Sequence, residues 1–363
     1  MGPYEFFGGT DMKVISTTLT LACSPLAFHD IAWAKSDADF RNSLGKARVY
    51  MVAKKPRIEF CNVKFAGHKI DFDLVNACGR VSISIPANEP LFKPSDKKTL
   101  VLDVGSKETH VLANDEVVPN THGIKFYEVD TAFYKKANEK ELRKCLDEDS
   151  FVAWLSPERL LYLYSKKLLR IPNFDKAKNF FWNYEPMYIG KVAGDHVYRR
   201  HIHHYRESFL EILESEIDDC EDIRDDVVLL FFEVEERDNS LLIGNATSIN
   251  EFQLPLNGNT LPSIEMLSLE AEKCFIEKFK PKYNAVLFHP YRNGLGDIDA
   301  SEYDVMDYAM SDNITLTFRN LDWLGGEDGN CLVYCKNSNL KVMKPAVFDE
   351  FLEEKFIESV LSY

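Results

Sequence analysis

From Lys13 to about Phe133, apolar and polar residues alternate in short runs separated by Gly, Pro, Asn and Asp. RIEFCNVKF, HKIDFDLV, GRVSISI, KTLVLDVG, THVLAND and IKFYEVD read as short strands broken by turns. This stretch is predicted to be β-rich, as a sandwich or small barrel. Near its start, VISTTLTLACSPLAF has the apolar character of a secretory leader, but its Thr and Ser content favours a strand. The next stretch, KKANEKELRKCLDEDSFVAWL, carries the alternating charges of an exposed helical link. In LLYLYS, Tyr162 and Tyr164 alternate with leucines, which predicts a half-buried strand. VVLLFFEVEE is apolar on both faces and reads as a buried third strand beside LLYLYS and MYIGKV.

Two helices stand out by spacing. In the first, Tyr205, Phe209, Ile212 and Ile217 share a face; in the second, Ala271, Cys274, Phe275, Lys278 and Phe279 recur at helical intervals up to Pro281. Residues 239–262 read as an insertion between the third strand and the second helix. Beyond Asn284 come an acidic glycine-rich loop (NGLGDIDASEYD), a hairpin around LGGEDGN and an amphipathic helix, FDEFLEEKFIESVLS. NGLGD neither follows a strand nor opens a helix, so a nucleotide-binding loop is not expected there. The chain therefore divides into a β-rich recognition or interaction region (1–135), a central module (150–290) and a C-terminal extension (291–363).

Glu272 shares a helical face with Phe275, Ile276 and Phe279. A carboxylate on an apolar stripe is costly to bury alone and calls for a cation, a metal or a hydrogen-bond donor. It opens the run EKCFIEKFKPKYN, standing nine residues before Pro281 and twelve before Asn284, and it follows a separate YIGK at Tyr188–Lys191. These two segments, in this order, resemble the GIY-YIG nuclease superfamily, in its restriction-endonuclease-like branch, over residues 150–290. The resemblance implies an α+β fold in which a small central antiparallel sheet is flanked by helices, following the β-rich N-terminal domain and preceding the C-terminal extension.

It also implies roles. Glu272 would hold Mg²⁺ or Mn²⁺. Tyr162 or Tyr188 would act as the base, with Tyr164 an alternative to Tyr162; no glycine precedes either of these tyrosines, so the first motif is degenerate. Arg199 pairs with His203, and Arg200 with His204, at one-turn spacing; either register fits the family's arginine and histidine, and Arg200 with His204 is preferred. Asn284 would fix the end of the helix against the sheet, while Lys191, Arg199, Lys166 and Lys167 would contact substrate. The chemistry is coherent, because phosphodiester hydrolysis needs a base, a divalent cation and a planar cation on the phosphoryl oxygens. His201, His203 and His204 do not make a zinc site by sequence, since no Cys or carboxylate pattern completes a tetrahedral set. His29, Asp30 and Trp33 read as packing.

Composition changes this picture in one respect. With 363 residues, 45% of them hydrophobic, there is ample core material, but a net charge of −15 opposes indiscriminate binding to polyanions. Basic and aromatic residues concentrate between Ser165 and Arg206, so a local groove on an acidic body is the expectation. The eight cysteines have no scaffold spacing and suggest a reducing cytoplasm. No stretch has the apolar length of a membrane span. The expected activity is endonucleolytic cleavage of DNA, in restriction or anti-phage defence, with a homodimer or a protein partner engaged through the N-terminal region. The alternative is an inactive binding or regulatory relative.

Overall fold

The computed structural model describes residues 12–35, 37–66, 68–104, 117–171, 174, 182–192, 209–216, 225–242, 262–285, 303–319, 321–335, 340–344 and 347. Its strands are β1 (Met12–Leu21), β2 (Leu26–Ala27), β3 (Val49–Pro56), β4 (Glu59–Phe65), β5 (Lys69–Asn76), β6 (Gly79–Pro86), β7 (Lys98–Asp103), β8 (Val117–Thr121), β9 (Ile124–Asp130), β10 (Phe151–Leu155), β11 (Asn183–Lys191), β12 (Asp225–Leu242), β13 (Val305–Met310), β14 (Thr315–Phe318), β15 (Leu321–Leu324), β16 (Cys331–Cys335) and β17 (Lys341–Met343). The helices are α1 (Asp30–Ala34), α2 (Ala38–Leu44), α3 (Thr131–Tyr134), α4 (Glu139–Arg143), α5 (Pro157–Ser165), α6 (209–216) and α7 (Ile264–Phe279).

One mixed ten-stranded sheet dominates, in the order β15-β14-β11-β3-β12-β1-β13-β16-β17, with β2 also on β12. The β1–β13 and β11–β14 pairs are parallel. The short 325–330 loop joins β15 to β16, bringing the two halves of the order together so that the sheet is nearly closed and barrel-like. Two smaller sheets, β6-β5-β4-β8 and β10-β9-β7, come from the alternating stretches.

The burial pattern follows from this arrangement. Val49, Tyr50, Met51, Val52 and Ala53 of β3 are all buried, as are Val227 through Phe232 of β12, because both faces of a central strand are covered. Val49, Met51 and Ala53 join the larger core with Ile189, Leu230, Phe275 and Phe279. On the opposite face, Tyr50 and Val52 pack with Phe209, Phe231 and Trp154. In β5 only Ile70, Phe72 and Leu74 are buried, the one-sided alternation of a strand with one wet face.

The small central sheet flanked by helices is thus overturned. The protein is mostly β, and two of the three strands expected of it, β11 and β12, lie inside a sheet drawn from all three parts of the chain: β1 and β3, then β11 and β12, then β13 to β17. VVLLFFEVEE is a central strand, but its neighbours are β3 and β1 rather than LLYLYS and β11. LLYLYS is helical. Ser156 caps α5 by accepting the Arg159 N–H at 3.3 Å, and Pro157 opens the helix, a start signal that outweighs the Leu/Tyr alternation. The link at 135–155 contains α4 but ends in β10, not in helix. LGGEDGN joins two strands that pair elsewhere, β15 with β14 and β16 with β13.

Other expectations coincide with described elements. RIEFCNVKF, HKIDFDLV, GRVSISI, KTLVLDVG and IKFYEVD are β4, β5, β6, β7 and β9, and the Thr-rich N-terminal run is β1. THVLAND, the NGLGDIDAS portion of the acidic loop and the closing helix lie outside the described residues. Among the described residues, no helix is long and apolar enough to cross a membrane.

Candidate functional site

β14 covers β11 only at Asn183 and Tyr184, so the outward-facing peptide groups of Met187, Ile189 and Lys191 need other partners. The KPKYN turn and α7 supply them. Tyr283 N–H donates to Met187 O at 3.0 Å, and the Asn284 side chain makes a paired contact, accepting from Ile189 N–H at 2.9 Å and donating to Ile189 O at 2.8 Å. Glu272 Oε1 then accepts the Lys191 N–H at 2.9 Å. One carboxylate, one amide and one turn thereby replace a strand along this edge.

The sequence builds that arrangement locally. Ser263 caps α7 by accepting the Met266 N–H, and Leu267, Ala271, Cys274, Phe275, Ile276 and Phe279 bury one side of the helix. Lys280 ends it in the left-handed region at φ 45°, directly before Pro281. Glu272 is left at the border of the buried stripe, beside the end of β11. Asn284→Ala should leave both Ile189 peptide groups unpaired; the expected cost is about 2 kcal/mol in denaturant unfolding, and an unchanged midpoint would contradict it.

Gly190 lets aromatic rings cover β11 on the face opposite the core that α7 joins. A Cβ there would come within 2.7 Å of Tyr50 Cε1 and 3.0 Å of Tyr188 Cε1, so glycine allows both rings to cover the strand. The Tyr50 and Tyr188 ring centroids are 5.7 Å apart, and Tyr50 continues to Phe231 at 6.4 Å. Two phenols therefore cover the residue immediately before the one that Glu272 holds.

Burial raises the Glu272 carboxyl above the usual carboxylate range, and the Lys191 amide with the charges of Lys191 and Lys273 only partly offsets this. A carboxylate desolvated beyond its compensation gains from a nearby cation, and Mg²⁺ accepts a single protein carboxylate with water in its remaining positions. Glu272 thus fits a divalent ion.

A neighbouring hub fixes the surroundings. Glu216, at the end of α6, accepts from Tyr283 Oη at 2.8 Å, Lys282 Nζ at 3.0 Å and Lys54 Nζ at 3.3 Å. Burial alone would raise this carboxyl; the three donors outweigh it and hold it below its ordinary value. Lys54 also lies 3.4 Å from Asp225, so β3, α6, the KPKYN turn and the start of β12 meet at one point.

The structure brings Glu272 to the Lys191 N–H and Asn284 to Ile189 along the β11 edge, whereas the Tyr188 ring packs with Tyr50 on the opposite face of the sheet from the core that α7 joins. It puts Tyr162 elsewhere: that ring packs against the core that takes the Met51 face of β3, opposite Tyr50 and Tyr188, and burial pushes its hydroxyl pKa upward. Tyr164 contacts Phe174 and Trp182 from the same helix. Lys166 is engaged by Asp312 Oδ1 at 2.9 Å and by Thr20. Lys167 is exposed in a left-handed conformation at φ 58°, just past the end of α5. Arg199, Arg200 and His204 lie outside the described residues, as do His201 and His203.

Tyr50 is the site residue that sequence reasoning missed. Its signal was present in the apolar run VYMVA, but a run of that length does not name its partner strand. Comparison with protein-family models, with curated proteins and with solved structures gave no match.

Proposed function

We propose that the β11 edge is the active site of a divalent-metal-dependent endonuclease that hydrolyses phosphodiester bonds in DNA. The observation that carries the reading is the junction at Gly190–Lys191: Glu272 anchored on the Lys191 N–H, with the rings of Tyr50 and Tyr188 over Gly190. In this reading Glu272 holds Mg²⁺ or Mn²⁺. The ion, when bound, would neutralise the phosphate and favour ionisation of groups around it. The base would be the phenolate of Tyr50 or Tyr188, its own proton first released to solvent, which then takes the proton of the attacking water; the Tyr162 assignment is replaced by Tyr50, which shares a sheet face with Tyr188. The Lys191 ammonium lies close enough to Glu272 to favour its ionised form. Arg200, or Arg199 in the other register, would clamp the phosphoryl oxygens with His204 beside it, by the sequence resemblance.

The net charge of −15 favours a second reading, a regulatory protein that keeps the arrangement without cleaving. Cleavage of supercoiled plasmid with Mg²⁺ or Mn²⁺ separates the two. Tyr50→Phe should lower the rate by roughly 100-fold or more while Tyr162→Phe leaves it unchanged. No nicking under either ion, in protein that is folded by circular dichroism, would favour the regulatory reading.

A further inference from the structure

A second group of ionisable side chains gathers around Lys55, on the face of β3 opposite the tyrosines. One ligand atom from each of His29, Asp30 and Glu158 lies within 4.8 Å of the others. Asp30 Oδ2 is satisfied by the Ala27 N–H at 3.2 Å and the Ser156 hydroxyl at 3.0 Å. Asp30 Oδ1 instead faces His29 Nε2 at 3.2 Å without hydrogen-bond geometry. Glu158 Oε1 also lacks a well-aligned donor, although Lys55 Nζ approaches to 2.5 Å. The Asp30 and Glu158 side chains are 0% and 1% exposed, so water does not satisfy these oxygens from bulk.

Arg57 pairs with Glu59 and Arg159 with Asp37, and Lys55 is the cation nearest Glu158.

We propose that His29, Asp30 and Glu158 bind a divalent transition-metal ion, Zn²⁺ being the best match to one imidazole and two carboxylates. Atoms sharing an ion at about 2.0–2.2 Å lie at most roughly 4.4 Å apart, so the cluster closes by a few tenths of an ångström on binding. The ion would tie the start of α1 to the start of α5. His29, 31% exposed, forms the rim through which it enters. The imidazole selects against Mg²⁺, which keeps this site chemically separate from Glu272.

The test uses full-length protein stripped with chelator, then titrated with Zn²⁺ alone and read by thermal melting and by metal content after desalting. Wild type should retain one zinc per chain and show a Tm that rises with Zn²⁺, whereas any response to Mg²⁺ should be the same in wild type and His29→Gln. His29→Gln should weaken binding by more than about tenfold. Glu272→Gln should retain it, so this proposal and the nuclease reading fail separately. Should Asp30→Asn not fold, His29→Gln still decides the matter from the rim. Wild type that neither holds zinc nor shifts, or a shift that survives His29→Gln, overturns the proposal.

Discussion

Lys55→Met is expected to destabilise the protein by about 3–5 kcal/mol, because it strips the paired cation from a carboxylate that has no access to water. Lys55 Nζ lies 2.5 Å from Glu158 Oε1, with the two side chains 0% and 1% exposed. Burial alone would push the Glu158 carboxyl up; the Lys55 charge, with His29, outweighs it and keeps Glu158 ionised. The cost of the single substitution is that of an orphaned charge rather than the worth of the pair. Lys55→Met with Glu158→Leu should therefore be more stable than Lys55→Met alone. Equal stability of wild type and Lys55→Met in denaturant would show that the pair does not form.

Glu272→Gln carries the second large effect, on activity. The amide keeps an oxygen to accept the Lys191 N–H, so the β11 edge should remain closed and unfolding should change by less than about 1 kcal/mol. What it loses is the negative charge that holds a cation, and cleavage should fall by at least about 100-fold. A stable but inactive Glu272→Gln protein separates the carboxylate's ionic role from its structural one. A stable variant that still cleaves would leave Glu272 with the structural role alone.

The parts of this fold that local chemistry specifies could be read in advance. β5 and β6 alternate because one face is wet, and the end of α7 is written in Lys280 before Pro281. Glu272 and Asn284 belong to that local run, which is why both were identifiable. Partner choice was not legible. β1 pairs in parallel with β13 from the far end of the chain, and nothing within either strand names the other. For the same reason the tyrosine opposite Tyr188 was sought in LLYLYS, the nearest upstream run, whereas the register of β3 against β11 puts Tyr50 beside Gly190. Ser156 followed by Pro157 starts α5 directly before LLYLYS and decides the element over its two alternating tyrosines. His29 and Asp30 are neighbours in sequence, but Glu158 lies far downstream, and only the fold brings it to them.

The central claim is that Glu272 anchors a metal-dependent phosphodiesterase site. The most direct measurement is conversion of supercoiled to nicked plasmid by wild type and Glu272→Gln, side by side, in Mg²⁺, in Mn²⁺ and in chelator. The account predicts nicking by wild type with either ion, none in chelator and none by the variant. Equal nicking by the two proteins, or nicking that persists in chelator, would contradict it.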